Sequence, residues 1–222
     1  MNNEQKLTIK TYPDIKEVTP PQEYINIWED ISLKVQANKA HTHKLSEAQT
    51  KQCFSELQRR PYYLSTIVQH FNVQNIAEVG TAEGLQFYTF AHTLKASGGH
   101  IWSCDIKDVR NIEYSERLKS DTTFVLGNSK NMADKIKESN NKIDLFYIDG
   151  AHDYGDVVKD VINLRDVQSD NPIWIFDDFD KRFGCYYDIE RLIKGAEDVK
   201  IYRVGNAASG NPNHQVIIRK RF

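Results

Sequence analysis

Cysteine is scarce in this chain, and what there is does not pair. Cys53, Cys104 and Cys185 are widely spaced and odd in number. No CxxC unit exists on which to build a zinc ribbon or a disulfide framework, and a reducing, cytoplasmic setting fits that usage best. No run approaches the ~18 apolar residues that would span a bilayer. The opening MNNEQKLTIK also lacks the apolar core of a signal peptide, so no membrane partner is expected. Basic charge is not in excess: 29 Lys and Arg stand against 31 Asp and Glu, a net charge of −2. Nucleic-acid binders usually carry a basic face, so no nucleic-acid partner is expected, and Arg219-Lys220-Arg221 reads as a solvated end. Internal repeats and low-complexity tracts are also missing.

The 222 residues, 40% of them hydrophobic, suffice for one sizeable α/β domain with an appendage. Residues 1–60 are polar and helical in pattern, with Tyr24, Trp28, Ile31 and Val35 at helical spacing and Ser46-Glu47-Ala48-Gln49 as a capping box. They are expected to form an N-terminal helical cap over a domain at 61–222. Leu64, Ile67, Val68 and Phe71 mark one face of a helix starting near Pro61. From residue 75 the rhythm changes to short apolar runs: IAEV, HIWSCDI, TFVLG, IDLFYID and PIWIFDD. Helix-patterned segments separate them, as in βαβ units with a parallel sheet. KIYRV and HQVIIRK then flank a Gly- and Asn-rich link with no room for a helix, so a hairpin is expected at the sheet edge. The fold expected is a Rossmann-like, doubly wound α/β sheet of five parallel strands plus a C-terminal antiparallel hairpin.

The acids fall in one place on that sheet. The first run ends at Glu78-Val79-Gly80, the second reaches Asp105, the fourth Asp149, and the fifth Asp177-Asp178. Ligands of open α/β sheets bind beyond the carboxyl ends of the strands. Asp153 is explained as a helix cap. Asp149, Asp177 and Asp178 together are harder to explain, because clustered carboxylates repel unless a cation binds them. The loop from Glu78 to Gly84 lets backbone approach a ligand. It lacks the G-x-G-x-x-G spacing of a dinucleotide site, since Ala82 and Leu85 occupy the later glycine positions. NAD is disfavoured.

AEVGTAEG at 77–84, the acid of WSCDI, LGNS at 126–129, and YIDGAHDY with IFDDF resemble the class I S-adenosylmethionine-dependent methyltransferases. The similarity covers roughly residues 60–222. Within that class the pattern resembles the O-methyltransferases of sugars, macrolides and related products, many of which use a divalent metal. The resemblance implies a cofactor site at Glu78, Gly80, Thr81, Gly84, Asp105, Ile106, Asn128, Ser129 and Asp149. In it Glu78 and Gly80 would meet the methionine part, Asp105 the ribose hydroxyls, and Asn128 and Ser129 the adenine. It further implies Asp149, Asp177 and Asp178 as ligands of a divalent ion, with Mg²⁺ expected, and His152 beside Asp149 as the catalytic pair, His152 being the general base. The partner implied is a small hydroxylated acceptor, with a homo-oligomer formed through the N-terminal segment. Phe179 departs from the family, which often has Tyr there.

Three other readings compete. A metal-independent methyltransferase would leave the acids as caps and His152 as sole base. A non-haem iron oxygenase needs two histidines and one carboxylate, and only His152 lies near the acids. A non-catalytic protein could keep the fold as a scaffold, though retention of the acids argues against it. His41 and His43 read as solvated, Trp102 and Trp174 as core, and Cys104 as an inert core thiol. Tyr186 and Tyr187 fit either helix packing or the lining of an acceptor pocket. No [DN]PP[YF] sequence of nucleic-acid amino-methylases is present.

Overall fold

The computed structural model describes residues 63–196, 198–206 and 212–222. The cap expected at 1–60, with its capping box and the His41 loop, lies outside the described residues. Helix α1 covers residues 63–70 and buries Leu64, Ile67 and Val68, the face its spacing predicted. The chain then alternates: β1 (Asn75–Val79), α2 (Leu85–Lys95), β2 (His100–Asp105), α3 (Ile112–Arg117), β3 (Thr122–Leu126), α4 (Ser129–Ser139), β4 (Ile143–Ile148), α5 (Asp156–Leu164). A 3₁₀ turn leads into β5 (Gln168–Phe176), followed by α6 (Cys185–Ile193), β6 (Val199–Asn206) and β7 (Pro212–Arg219).

The strands form one sheet in the order β3-β2-β1-β4-β5-β7-β6. Strands β1 to β5 are parallel, and β7 pairs antiparallel with both β5 and β6. The expected hairpin is therefore present, with β7 inside and β6 at the edge. Strand order reverses between β1 and β4, and such a switch point opens the crevice in which doubly wound sheets bind ligands.

Side-chain alternation splits the core into two layers. Ile76, Leu145, Tyr147, Ile173, Ile175 and Ile217 face α1, α2 and α3. Ala77, Phe146, Ile148, Trp174, Phe176 and Ile218 face α4, α5 and α6. Phe146 and Trp174 stack at 3.9 Å across β4 and β5. Both are fully buried, and each such side chain stabilises the fold by roughly 1.5–3 kcal/mol. Strand β5 starts four residues earlier than its apolar run. Its pairing with β4 shifts between Ile143 and Leu145, and Pro172 sits in that irregular stretch, where its missing N–H disrupts no regular ladder. The start of β5 also holds the chain end: the Gln168 amide donates to the Phe222 carbonyl at 2.7 Å and accepts its N–H at 3.1 Å. Among the described residues no helix is long and apolar enough to cross a membrane.

Candidate active site

Four of the five parallel strands hand one residue past their end to a neighbour, and these residues line the carboxyl rim of the sheet. Gly127 N–H donates to the Asp105 carbonyl, Gly80 to Cys104 and Asp149 to Val79, each at 2.9 Å, and Asp177 to Ile148 at 3.0 Å. The ladder thereby sets Asp105, Gly80, Asp149 and Asp177 in a row, in the order in which their strands lie.

The glycine loop is built by close approach. Gly80 has φ +94°, and a Cβ there would lie 2.0 Å from the Asp149 carbonyl oxygen. Only glycine tolerates both conditions, so the loop after β1 rests directly on the backbone of Asp149. Gly84 has φ +92° and cedes its side-chain space to the Tyr88 ring. Beneath the loop runs a buried chain of polar groups: Thr81 and Ser103 hydroxyls are 2.6 Å apart, and Ser103 donates to Glu78 at 2.5 Å. Glu78 is thus a fully buried carboxylate, oriented by the strand beside it. Asp105 braces the loop from β2, accepting Ala82 N–H at 2.9 Å and Lys107 N–H at 3.1 Å. A carboxylate has about four acceptor sites, so capacity remains for a vicinal diol. Exposed Ile106 and Leu126 flank it, an apolar surface suited to a planar ring.

On the other side of Gly80 the acids meet. Asp149, His152 and Asp178 bring ligand atoms within 4.8 Å of one another. His152 Nε2 lies 2.6 Å from Asp178 Oδ2, and the hydrogen bond it donates to that carboxylate raises the imidazole pKa, with burial opposing it. The Phe183 ring packs 5.1 Å from the imidazole. Asp177, expected as a third ligand, lies outside this cluster. Its Oδ1 accepts the Asp178 N–H at 2.9 Å and its Oδ2 the Tyr147 hydroxyl at 2.9 Å. Asp178 has φ +53°, a left-handed kink that turns it away from its neighbour. One histidine with two carboxylates is the converse of an iron facial triad. Two converging carboxylates do fit a hard divalent ion, which binds one or two such groups and keeps water on its other sites.

Residues 77–179 match the family model of a methyltransferase domain. That stretch is similar to a methyltransferase domain. An O-methyltransferase from Bacillus cereus, solved with S-adenosylhomocysteine, shares the fold at TM-score 0.64 and 16% identity, over 93% of this chain and 94% of that one. The O-methyltransferase TomG from Streptomyces achromogenes, involved in tomaymycin synthesis and solved with S-adenosylmethionine, aligns at TM-score 0.60 and 12% identity over 84% and 96%. An rRNA methylase from Streptococcus thermophilus shares it too, at TM-score 0.51 and 13% identity over 73% and 97%. The fold by itself therefore does not choose the acceptor. No curated protein sequence matches the chain. Domain match and fold together liken the chain to class I S-adenosylmethionine-dependent methyltransferases.

Several of the singled-out residues have local duties that the sequence did not show. Asn128 caps α4, its carboxamide accepting Lys130 N–H at 3.0 Å and Asn131 N–H at 3.2 Å in a full capping box. Ser129 is buried and donates to Asp160 at 2.6 Å while accepting from Asn163 at 3.0 Å. Asp153 does not cap α5 as expected. Gly155 is the cap, at φ 90° with no side-chain bond, and its N–H goes instead to Asp188 at 2.7 Å. Cys104 is inert, its thiol pushed up by burial, and burial raises Cys185 to about 12. Tyr186 stacks on Phe179 at 4.6 Å, and Tyr187 stands edge-on to Tyr186.

Proposed function

We propose that the chain is an O-methyltransferase acting on a hydroxyl of a small molecule, a sugar or glycosylated metabolite being the favoured class, with a divalent cation, favoured as Mg²⁺, at the acid cluster. One observation carries this reading: Gly80 joins the cofactor loop to the backbone of Asp149 with no side chain between them. Donor and acceptor sites therefore share a wall, as in-line transfer requires.

In this reading the loop Glu78–Gly84, Thr81 and Asp105 hold the methionine and ribose parts of S-adenosylmethionine. Ile106, Leu126 and the backbone at Asn128 and Ser129 border its adenine. The bound cofactor supplies an electrophilic methyl group on sulfur. Asp149 and Asp178 hold the cation, and a cation there lowers the pKa of an acceptor hydroxyl. His152 takes the hydroxyl proton at Nδ1, with Nε2 held by Asp178 so that the ring cannot swing away. Phe183, Tyr186 and half-exposed Tyr187 and Tyr154 offer ring faces beside it, against which the apolar face of a sugar packs.

The reading is tested by titrating S-adenosylhomocysteine into the protein in a calorimeter, with Mg²⁺ and again with EDTA, using NAD as the control. Micromolar binding in both conditions, with none of NAD, is expected. Methyl transfer to a panel of sugars and glycosides should then appear with Mg²⁺ and vanish with EDTA. Transfer that survives EDTA would favour the metal-independent enzyme with His152 as sole base. Absence of cofactor binding would overturn the reading at its root.

A further inference from the structure

The hydroxyl of Tyr147 lies between two carboxylates of the site. It is 3.0 Å from Asp149 Oδ2 and 2.9 Å from Asp177 Oδ2. Gln215 donates its side-chain N–H to the same oxygen at 3.3 Å. Tyr147 and Gln215 are both fully buried, and the Phe90 ring meets Tyr147 edge-on at 5.9 Å. The phenol is therefore held from below and on its flank.

The arrangement follows from strand alternation. Tyr147 and Asp149 are two residues apart on β4 and its extension, so they share a face. Tyr147 is opposite Ile175, which puts Asp177 beside Asp149 on that face, and Phe176 opposite Val216 puts Gln215 next in line. Asp178, one residue on, turns the other way, toward His152. Adjacent acids in sequence thus have different neighbours. Asp178 meets the cleft, whereas both oxygens of Asp177 have partners inside the protein: the Asp178 N–H and the Tyr147 hydroxyl.

We infer that Tyr147 is a positioning residue that sets the Asp149 carboxylate for the cation, and that Asp177 acts through Tyr147 and the Asp178 backbone, not as a direct ligand. The inference rests on the cation reading above. With one Asp149 oxygen tied to the phenol, the carboxylate cannot rotate, and its other oxygen keeps one direction. The phenol has one hydrogen to donate, so Asp177 and Asp149 share it, and Asp177 helps hold the phenol oxygen between them. Groups that orient metal ligands in this way typically change metal affinity by about 10- to 100-fold when removed.

The test is calorimetric titration of Mn²⁺ into the full chain, so that no turnover is needed. Wild type should bind, and Asp149→Asn and Asp178→Asn should not. Tyr147→Phe, which deletes one oxygen, should weaken Mn²⁺ by about 10- to 100-fold while still binding S-adenosylhomocysteine. Asp177→Asn keeps an acceptor for the phenol and should retain Mn²⁺ binding, weakened by about tenfold at most. If wild type binds no Mn²⁺, the cation reading falls and takes the inference with it. If wild type binds and Tyr147→Phe matches it, only the inference falls. Loss of all binding in Asp177→Asn would make Asp177 a direct ligand and overturn its assignment here. Should Tyr147→Phe fail to fold, Gln215→Leu, which frees the phenol, must weaken Mn²⁺ in the same direction or the inference fails.

Discussion

Asp160 shows how burial governs a single group. Burial pushes its pKa up to about 6, against the Ser129 hydrogen bond that pulls it down. An unfolded Asp titrates near ~4, so the folded state holds this proton more tightly. Stability from the site is therefore full at low pH and is lost as pH rises through about 6. Asp160→Asn keeps an acceptor for Ser129 and removes the buried charge. It should raise urea stability at pH 7.5 by ~1–3 kcal/mol, with the gain smaller by about 1 kcal/mol at pH 5. An equal gain at both values would show that the charge is not what costs stability. The same reasoning explains why a hydroxyl such as that of Tyr147 goes unnoticed in a sequence. In the run LFYID it counts as one more buried aromatic, and only the fold gives its oxygen two carboxylates.

At the scale of elements, helix starts place the rim residues. The Asn128 capping box opens α4, and removing such a cap costs about 1 kcal/mol. Asn128→Ala should lower the urea midpoint accordingly, and its S-adenosylhomocysteine affinity measures separately any contact with adenine. The loop after β4 is tied down by α6. Cys185 N–H donates to the His152 carbonyl at 3.0 Å, and a Cβ on Gly184 would stand 2.5 Å from the Tyr154 nitrogen. That helix and loop must touch backbone to backbone for His152 to stay over the cleft. Gly184→Ala is expected to cut methyl transfer at least tenfold and leave S-adenosylhomocysteine affinity near wild type. A matching fall in cofactor affinity would mean that the disturbance reaches the glycine loop.

At the scale of the whole molecule, the sheet is most secure where the site is anchored. Strands β1 and β4 are central and pair on both sides, while β3 and β6 are the edges. Hydrogen exchange should be slowest in β1 and β4 and faster in β3 and β6. Slow exchange confined to the hairpin would contradict this order of stability. The rim residues Gly80 and Asp149 follow these two central strands, so local opening of an edge leaves the shared wall intact.

The sequence by itself determined the class of fold and the rim. Apolar runs such as LFYI and IWIF fit strands covered on both faces, their spacing fits helical crossovers, and most of the acids gather where the runs end. Asp105, Asp149 and Asp177-Asp178 were therefore legible at the strand ends, as were Leu64, Ile67, Val157 and Val161 in the core. The same short-range logic failed at Asp153, where the cap passed to Gly155 because Asp188, 33 residues away from it, took the free N–H. It also could not separate Asp177 from Asp178. Only the tertiary structure did that, by setting β4, β5 and β7 side by side so that one acid faces Tyr147 and the other His152. Side-chain period and burial are properties of a segment, and one sequence carries them. A polar partner is a property of two segments brought together, and strand order decides which two.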